Sequence, residues 1–160
     1  MTTSDADTIY SGGCQCGAVR FQASRLGRPS ICHCRMCQKQ FGGFFGPLVT
    51  ADKAHLTWTR GQPTLFRSSK KIKRGFCEKC GTPLTYQHAD GVELAIGAFD
   101  HPEFFEPKIQ VNHDKRLPWI EHIFDAPPYS SPETEAQFAA VESFQHPDHD
   151  TETWPPEDDT

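Results

Sequence analysis

Seven cysteines fall into three tight groups in a chain of 160 residues: Cys14-Gln15-Cys16, Cys32-His33-Cys34-Arg35-Met36-Cys37 and Cys77-Glu78-Lys79-Cys80. Sulfur spaced in this way points to metal chemistry. Two cysteines separated by two residues can deliver both thiolates to one zinc ion, in a tetrahedron of about 2.3 Å bonds, when the backbone curls into a knuckle. Cys77-Glu78-Lys79-Cys80-Gly81 has that form, and Gly12-Gly13 and Gly17 lend similar backbone freedom to the first pair. Joining Cys14 and Cys16 to Cys77 and Cys80 makes one closed four-sulfur site, worth on the order of 10 to 16 kcal/mol of metal-coupled folding. Cys32, Cys34 and Cys37 remain, a compact trio offering three ligands from one loop and the first turn of a helix. A fourth position is then left for water or substrate to enter and be activated, which is what separates a catalytic zinc from a structural one. The expected cofactor is Zn2+, two per chain, one structural and one catalytic.

Spacing alone leaves other readings open. The sulfurs could be buried free thiols, the trio could be closed by a histidine, and an iron–sulfur cluster could occupy the same ligands. A redox Cys-x-x-Cys at Cys34–Cys37 or Cys77–Cys80 would need a βαβ context, which the sequence does not offer. In an extended loop His33 points away from Cys32 and Cys34, so it is not expected as a ligand.

The elements that must hold these groups are predominantly strands. Val19 and Phe21 alternate with Arg20 and Gln22 within 17–23, and similar runs are expected at 43–50, 55–59, 64–67, 73–77, 84–87, 92–98 and 109–112. Gly61-Gln62, Asp90-Gly91 and Asp114-Lys115 punctuate them as turns. Only 35–41 reads as a short helix before residue 130. Connections of a few residues exclude regular helical crossovers, so the sheets are expected to be mostly antiparallel, in a mainly β, sandwich-like fold. Trp58, Phe66 and Trp119 are expected in the core. After Ser130 the composition turns to Glu, Asp, Pro, Ser and Thr. That predicts one short helix after Ser131-Pro132-Glu133, packing Phe138 and Phe144 on the domain, followed by a disordered end. The expected organisation is a lead at 1–11, a zinc domain at 12–129 and an acidic, Pro-rich tail at 130–160.

Composition bounds the rest. Hydrophobic residues are 36% and charged residues 23% of the chain, with 12 Phe, so a single thin core is expected. No run approaches the roughly 18 apolar residues of a membrane span, and the acidic, polar opening does not resemble a secretory leader. Both features predict a cytoplasmic chain whose cysteines remain reduced. Residues 1–80 carry 13 Lys and Arg against 4 Asp and Glu, whereas residues 81–160 carry 3 against 17. The basic half sits beside anionic thiolate clusters, and the aromatic-plus-basic signatures of nucleic-acid modules are missing, so no nucleic-acid partner is expected. Lys70, Lys71, Lys73 and Arg74 read as a solvated basic loop.

Three ordered segments carry a family resemblance: Gly12-Gly13-Cys14-Gln15-Cys16-Gly17, Cys32-His33-Cys34-Arg35-Met36-Cys37-Gln38-Lys39, and Arg74-Gly75-Phe76-Cys77-Glu78-Lys79-Cys80-Gly81-Thr82-Pro83-Leu84. Phe41-Gly42-Gly43, Trp58-Thr59-Arg60-Gly61, Phe66-Arg67-Ser68-Ser69 and Pro118-Trp119-Ile120 follow in the same order. Over about residues 12 to 124 the chain resembles the glutathione-dependent formaldehyde-activating enzyme family, also described as the centromere protein V and formaldehyde-activating domain. The resemblance implies an Mss4-like β fold, with Cys14, Cys16, Cys77 and Cys80 as structural zinc ligands and Cys32, Cys34 and Cys37 as catalytic ones. It further implies a zinc-dependent carbon–sulfur lyase acting on a thiol–aldehyde adduct such as S-hydroxymethylglutathione, with glutathione and formaldehyde as partners. Arg35 and Lys39, one helical turn apart beside the trio, would then be the cations available to the two carboxylates of such a thiol. The centromere-associated branch suggests an alternative, a non-catalytic zinc-stabilised module that binds a thiol or a protein.

Overall fold

Residues 8–155 are described by the computed structural model. They form ten strands: β1 Tyr10–Gly13, β2 Arg20–Ala23, β3 Pro29–Cys32, β4 Gly46–Ala51, β5 Leu56–Arg60, β6 Thr64–Arg67, β7 Lys73–Phe76, β8 Pro83–His88, β9 Gly91–Ala95 and β10 Ile109–Val111. Two helices join them, α1 Arg35–Phe41 and α2 Pro132–Ala139, together with short 3-10 turns. A three-stranded sheet runs β1-β2-β5, and a seven-stranded sheet runs β10-β3-β4-β9-β8-β7-β6. Each strand pair is antiparallel except β10 with β3, which run parallel. The architecture is mainly β, as the alternating pattern requires.

Between the sheets lies the core. From the small sheet Phe21 stacks edge-on against Trp58 and Phe99, with ring centroids 5.8 and 5.1 Å away. From the large sheet Val49, Ala51, Leu84, Val92 and Leu94 meet it, all buried. A strand's side chains alternate between faces, so the intervening positions must point the other way. Cross-strand register assembles these into a row on the outer face: Thr50 opposite Glu93, Glu93 opposite Tyr86, Tyr86 opposite Arg74. Ser30 faces Leu48, and Cys32 ends β3 beside Val111 of β10. This second face, covered at one end by α1, is where one cysteine group opens.

Helix α1 starts where the expectation put it. The Cys34 sulfur accepts from the Cys37 backbone N–H as a cap, and Gly42 closes the other end in the left-handed conformation. Two strands escape the sequence pattern, β1 and β3, because Gly12, Gly13 and Pro29 obscure their alternation. The run at 92–98 is also cut short, passing into a 3-10 turn at Ile96–Ala98.

Several packing expectations need correction. Phe66 is 62% and Trp119 45% exposed, so neither belongs to the core, and only Trp58 packs against it. The expected solvated run at 70–74 enters β7, where Arg74 is buried. Helix α2 is capped by Ser131 as expected, but Phe138 and Phe144 are exposed rather than packed on the domain.

The end of the chain departs most from the expected disorder. Residues 145–155 strap across the small sheet: Asp150 accepts from Arg20 at 2.8 Å, and the Thr151 carbonyl from Arg60 at 2.6 Å. His146 is buried, and its backbone N–H reaches the Gln15 carbonyl. Asp150 finds the buried Arg20 on β2, and Thr151 the half-buried Arg60 on β5, which composition could not reveal. Residues 1–7 of the expected lead and 156–160 of the tail lie outside the described residues.

Candidate metal centres

Four sulfurs come together where the β1–β2 turn meets the β7–β8 turn. The Cys14 and Cys16 sulfurs lie 3.6 Å apart, and those of Cys16 and Cys77 lie 3.8 Å apart. A tetrahedron with 2.3 Å metal–sulfur bonds requires edges of about 3.8 Å, so the donor set fits one thiolate-bound ion such as zinc. Each half is a knuckle. Gly17 at φ +73° and Gly81 at φ +80° adopt the left-handed backbone that ends each turn. The N–H of Gly17 then bonds to the Cys14 carbonyl, and that of Gly81 to the Cys77 carbonyl. The Thr82 hydroxyl ties the halves, accepting from the Gln15 N–H at 3.0 Å and meeting the Cys80 sulfur at 3.2 Å. The strap lies over this centre, with the Trp154 indole N–H donating to the Cys16 carbonyl at 3.0 Å.

The charge state follows the surroundings. Burial pushes the Cys14 thiol up to about 12, against a hydrogen bond from the Val19 N–H, and also raises Cys16. At Cys80 burial acts in the same direction but is outweighed by hydrogen bonds from Thr82 and Cys16, which bring it down to about 6.

The sulfurs of Cys32, Cys34 and Cys37 form a second group, also within 4.8 Å of one another. The hydrogen bond from Cys37 draws Cys32 down to about 5, helped by the Asn112 side chain at 3.4 Å, and the same contact together with burial pushes Cys37 upward. Arg74 opposes that rise. Both of its terminal nitrogens lie 3.5 Å from the Cys37 sulfur, and its guanidinium is further held by Ser68 at 3.0 Å, by Gln40, and over the Tyr86 ring. A partly ionised trio loses fewer protons on taking up a metal.

The surroundings of the two groups differ. Cys32, Cys34 and Cys37 line a groove of about 380 Å³ on the outer face of the large sheet, with Arg74, Tyr86 and Glu93 along its floor. The four-sulfur group is divided between cavities instead: Cys14 lines one of about 240 Å³ and Cys16 one of about 540 Å³, each also lined by residues of the strap. Both clusters can hold a metal ion, and seven unpaired thiols are present.

Arg35 is exposed and turns to the Gln38 side chain at 3.2 Å, while exposed Lys39 lines a neighbouring cavity that also contacts Phe66 and Arg74. Arg74, Asn112 and Glu93 were missed. Arg74 stood within a basic run, and the strand register that turns it inward appears only once β7 is paired. His33 is buried away from the sulfurs, with Nε2 2.8 Å from the Gln110 side-chain oxygen.

Fold and site together define a small, mainly β domain with two cysteine clusters, one tied to the strap and one whose three cysteines line a single groove. The glutathione-dependent formaldehyde-activating enzyme family matches residues 9–115, and the chain belongs to that family. A crystal structure of a Rhodobacter sphaeroides protein is similar in fold, with a TM-score of 0.53 at 22% identity, covering 63% of this chain and 99% of that one. Family membership supports a function related to glutathione and formaldehyde. No helix among the described residues is long and apolar enough to cross a membrane.

Proposed function

We propose that the protein is a zinc-dependent carbon–sulfur lyase that interconverts S-hydroxymethylglutathione with glutathione and formaldehyde in the cytoplasm. The observation that carries this reading is the opening of the Cys32–Cys34–Cys37 sulfurs onto a ligand-sized groove. Cys14, Cys16, Cys77 and Cys80 would hold a structural zinc, and Cys32, Cys34 and Cys37 a second, three-ligand zinc. When bound at the trio, zinc supplies a positive charge able to stabilise a thiolate or polarise an aldehyde oxygen.

The chain's own groups prepare that site. Arg74 and Asn112 donate to the Cys37 and Cys32 sulfurs, fixing their orientation and offsetting their charge. Leu48, Ile72 and Ile109 provide apolar walls, which strengthen electrostatic interactions inside the groove. In adduct breakdown the carbon–sulfur bond cleaves with its electron pair moving to sulfur. The hydroxyl proton departs as the carbonyl forms, leaving aldehyde and thiol in balance.

The test is the approach to equilibrium of formaldehyde with glutathione, followed by NMR with metal-replete protein. Faster approach than in buffer supports the lyase. No acceleration with glutathione or several other thiols overturns it, leaving the zinc-stabilised binding module, which the exposed Phe44, Trp119 and Phe124 side chains favour.

A further inference from the structure

Glu93 stands at the centre of the groove floor, between Thr50 and Tyr86 in the cross-strand row. Its neighbours on β9, Val92 and Leu94, point into the core, so strand alternation sends its side chain toward the groove, which it lines. None of the ion pairs among the described residues includes it. Arg74, two positions along the row, is already engaged by Cys37, Ser68, Gln40 and Tyr86. Burial raises the Glu93 carboxyl above its ordinary range, and His88 opposes this without forming an ion pair.

An acidic group held in a partly desolvated groove without a cation is costly by itself and is relieved by a positively charged ligand. We propose that Glu93 is the docking point for a ligand ammonium group, so that the groove selects thiols carrying a free amine over thiols that lack one. Arg28, at the exposed rim of the same groove, stands ready for a carboxylate. Together they match an α-amino-acid end, a chemistry that glutathione carries at its γ-glutamyl residue. This inference rests on the thiol-handling reading above and deepens it from a reacting sulfur to a recognised cation.

Calorimetry on the metal-replete protein with glutathione and with N-acetylated glutathione tests it without any turnover. The unmodified protein should bind glutathione at least tenfold more tightly, the scale of one charge-assisted hydrogen bond. Glu93→Gln should remove most of that preference, weakening glutathione while changing the acetylated thiol less than twofold. Equal binding of the two thiols by the unmodified protein, or binding of neither, overturns the proposal even if the variant fails to fold. An equal loss for both thiols in a folded Glu93→Gln protein overturns it as well. The lyase reading fails separately, when thiols bind with this preference but the formaldehyde equilibrium is not accelerated.

Discussion

Arg74 and Cys37 are joined across the outer face of the large sheet, with both terminal guanidinium nitrogens 3.5 Å from the sulfur. The pair links β7, which runs straight into the four-sulfur centre, to the helix that carries Cys37. Arg74→Met removes the cation while keeping much of the side-chain volume. With zinc bound at the trio, the Cys37 thiolate would then lose the cation beside it, and Gln40 and Ser68 lose a partner. The expected outcome is a loss of about tenfold to a hundredfold in the proposed lyase rate, the scale of a group that positions metal ligands. Metal at the trio should fall while the four-sulfur centre stays loaded, as read by metal analysis beside the NMR assay.

The two cysteine groups should separate by stability. Cys32→Ser, Cys34→Ser and Cys37→Ser combined should lower metal content from about two ions to one with the β-sheet signature retained. Cys77→Ser or Cys80→Ser should unfold the domain, because a structural zinc contributes on the order of 10 kcal/mol or more. Metal analysis and circular dichroism on the same samples decide the matter. A triple variant that unfolds like the Cys80 change would make the trio structural.

The buried pair of Arg20 and Asp100 anchors the small sheet, with both ends of the guanidinium fork engaged at 2.7 and 2.6 Å. Burial raises the Asp100 carboxyl, but the Arg20 and Ser11 contacts outweigh it and hold the pKa below its ordinary value. Its folded pKa therefore lies below the unfolded one. The pair's contribution is present above the unfolded value near pH 4 and is lost as pH falls through the folded one. Asp100→Asn leaves a buried cation with only Asp150 and should cost about 3 kcal/mol at pH 7. Thermal melts from pH 7 to pH 3 should show the two proteins converging at the acid end.

The strap over the four-sulfur centre should slow metal loss. A Cβ at Gly17 would lie 2.4 Å from His146 and 2.5 Å from Trp154, in a backbone conformation that already disfavours one. Gly17→Ala and a chain ending after Ser143 should both lower the melting temperature by several degrees, on the order of 1 kcal/mol or more. Both should release zinc to a chromophoric chelator faster than the intact chain, and unchanged release rates would show that the strap plays no part in retention.

Much of the site was legible because metal ligands are a local code. Cys77–Cys80 and Cys14–Cys16 carry their knuckle glycines with them, so a half-site can be read from a handful of residues. Strand alternation identified most of the large sheet for the same reason. β1 and β3 were hidden because glycine and proline break the alternating pattern, and their strand state comes from partners: β2 beside β1, and β4 and β10 beside β3.

What the sequence determined by itself is the division of sulfur into three groups, the mainly β frame, and the family, since each depends on neighbours a few residues apart. The tertiary structure alone decided which charges matter. Arg74, Glu93 and the residues of the strap acquire their roles from register and from chain segments as many as 138 residues distant, as with Cys16 and Trp154. Whether a charged side chain is solvated or turned inward depends on what lies across the sheet, and linear spacing carries no record of that.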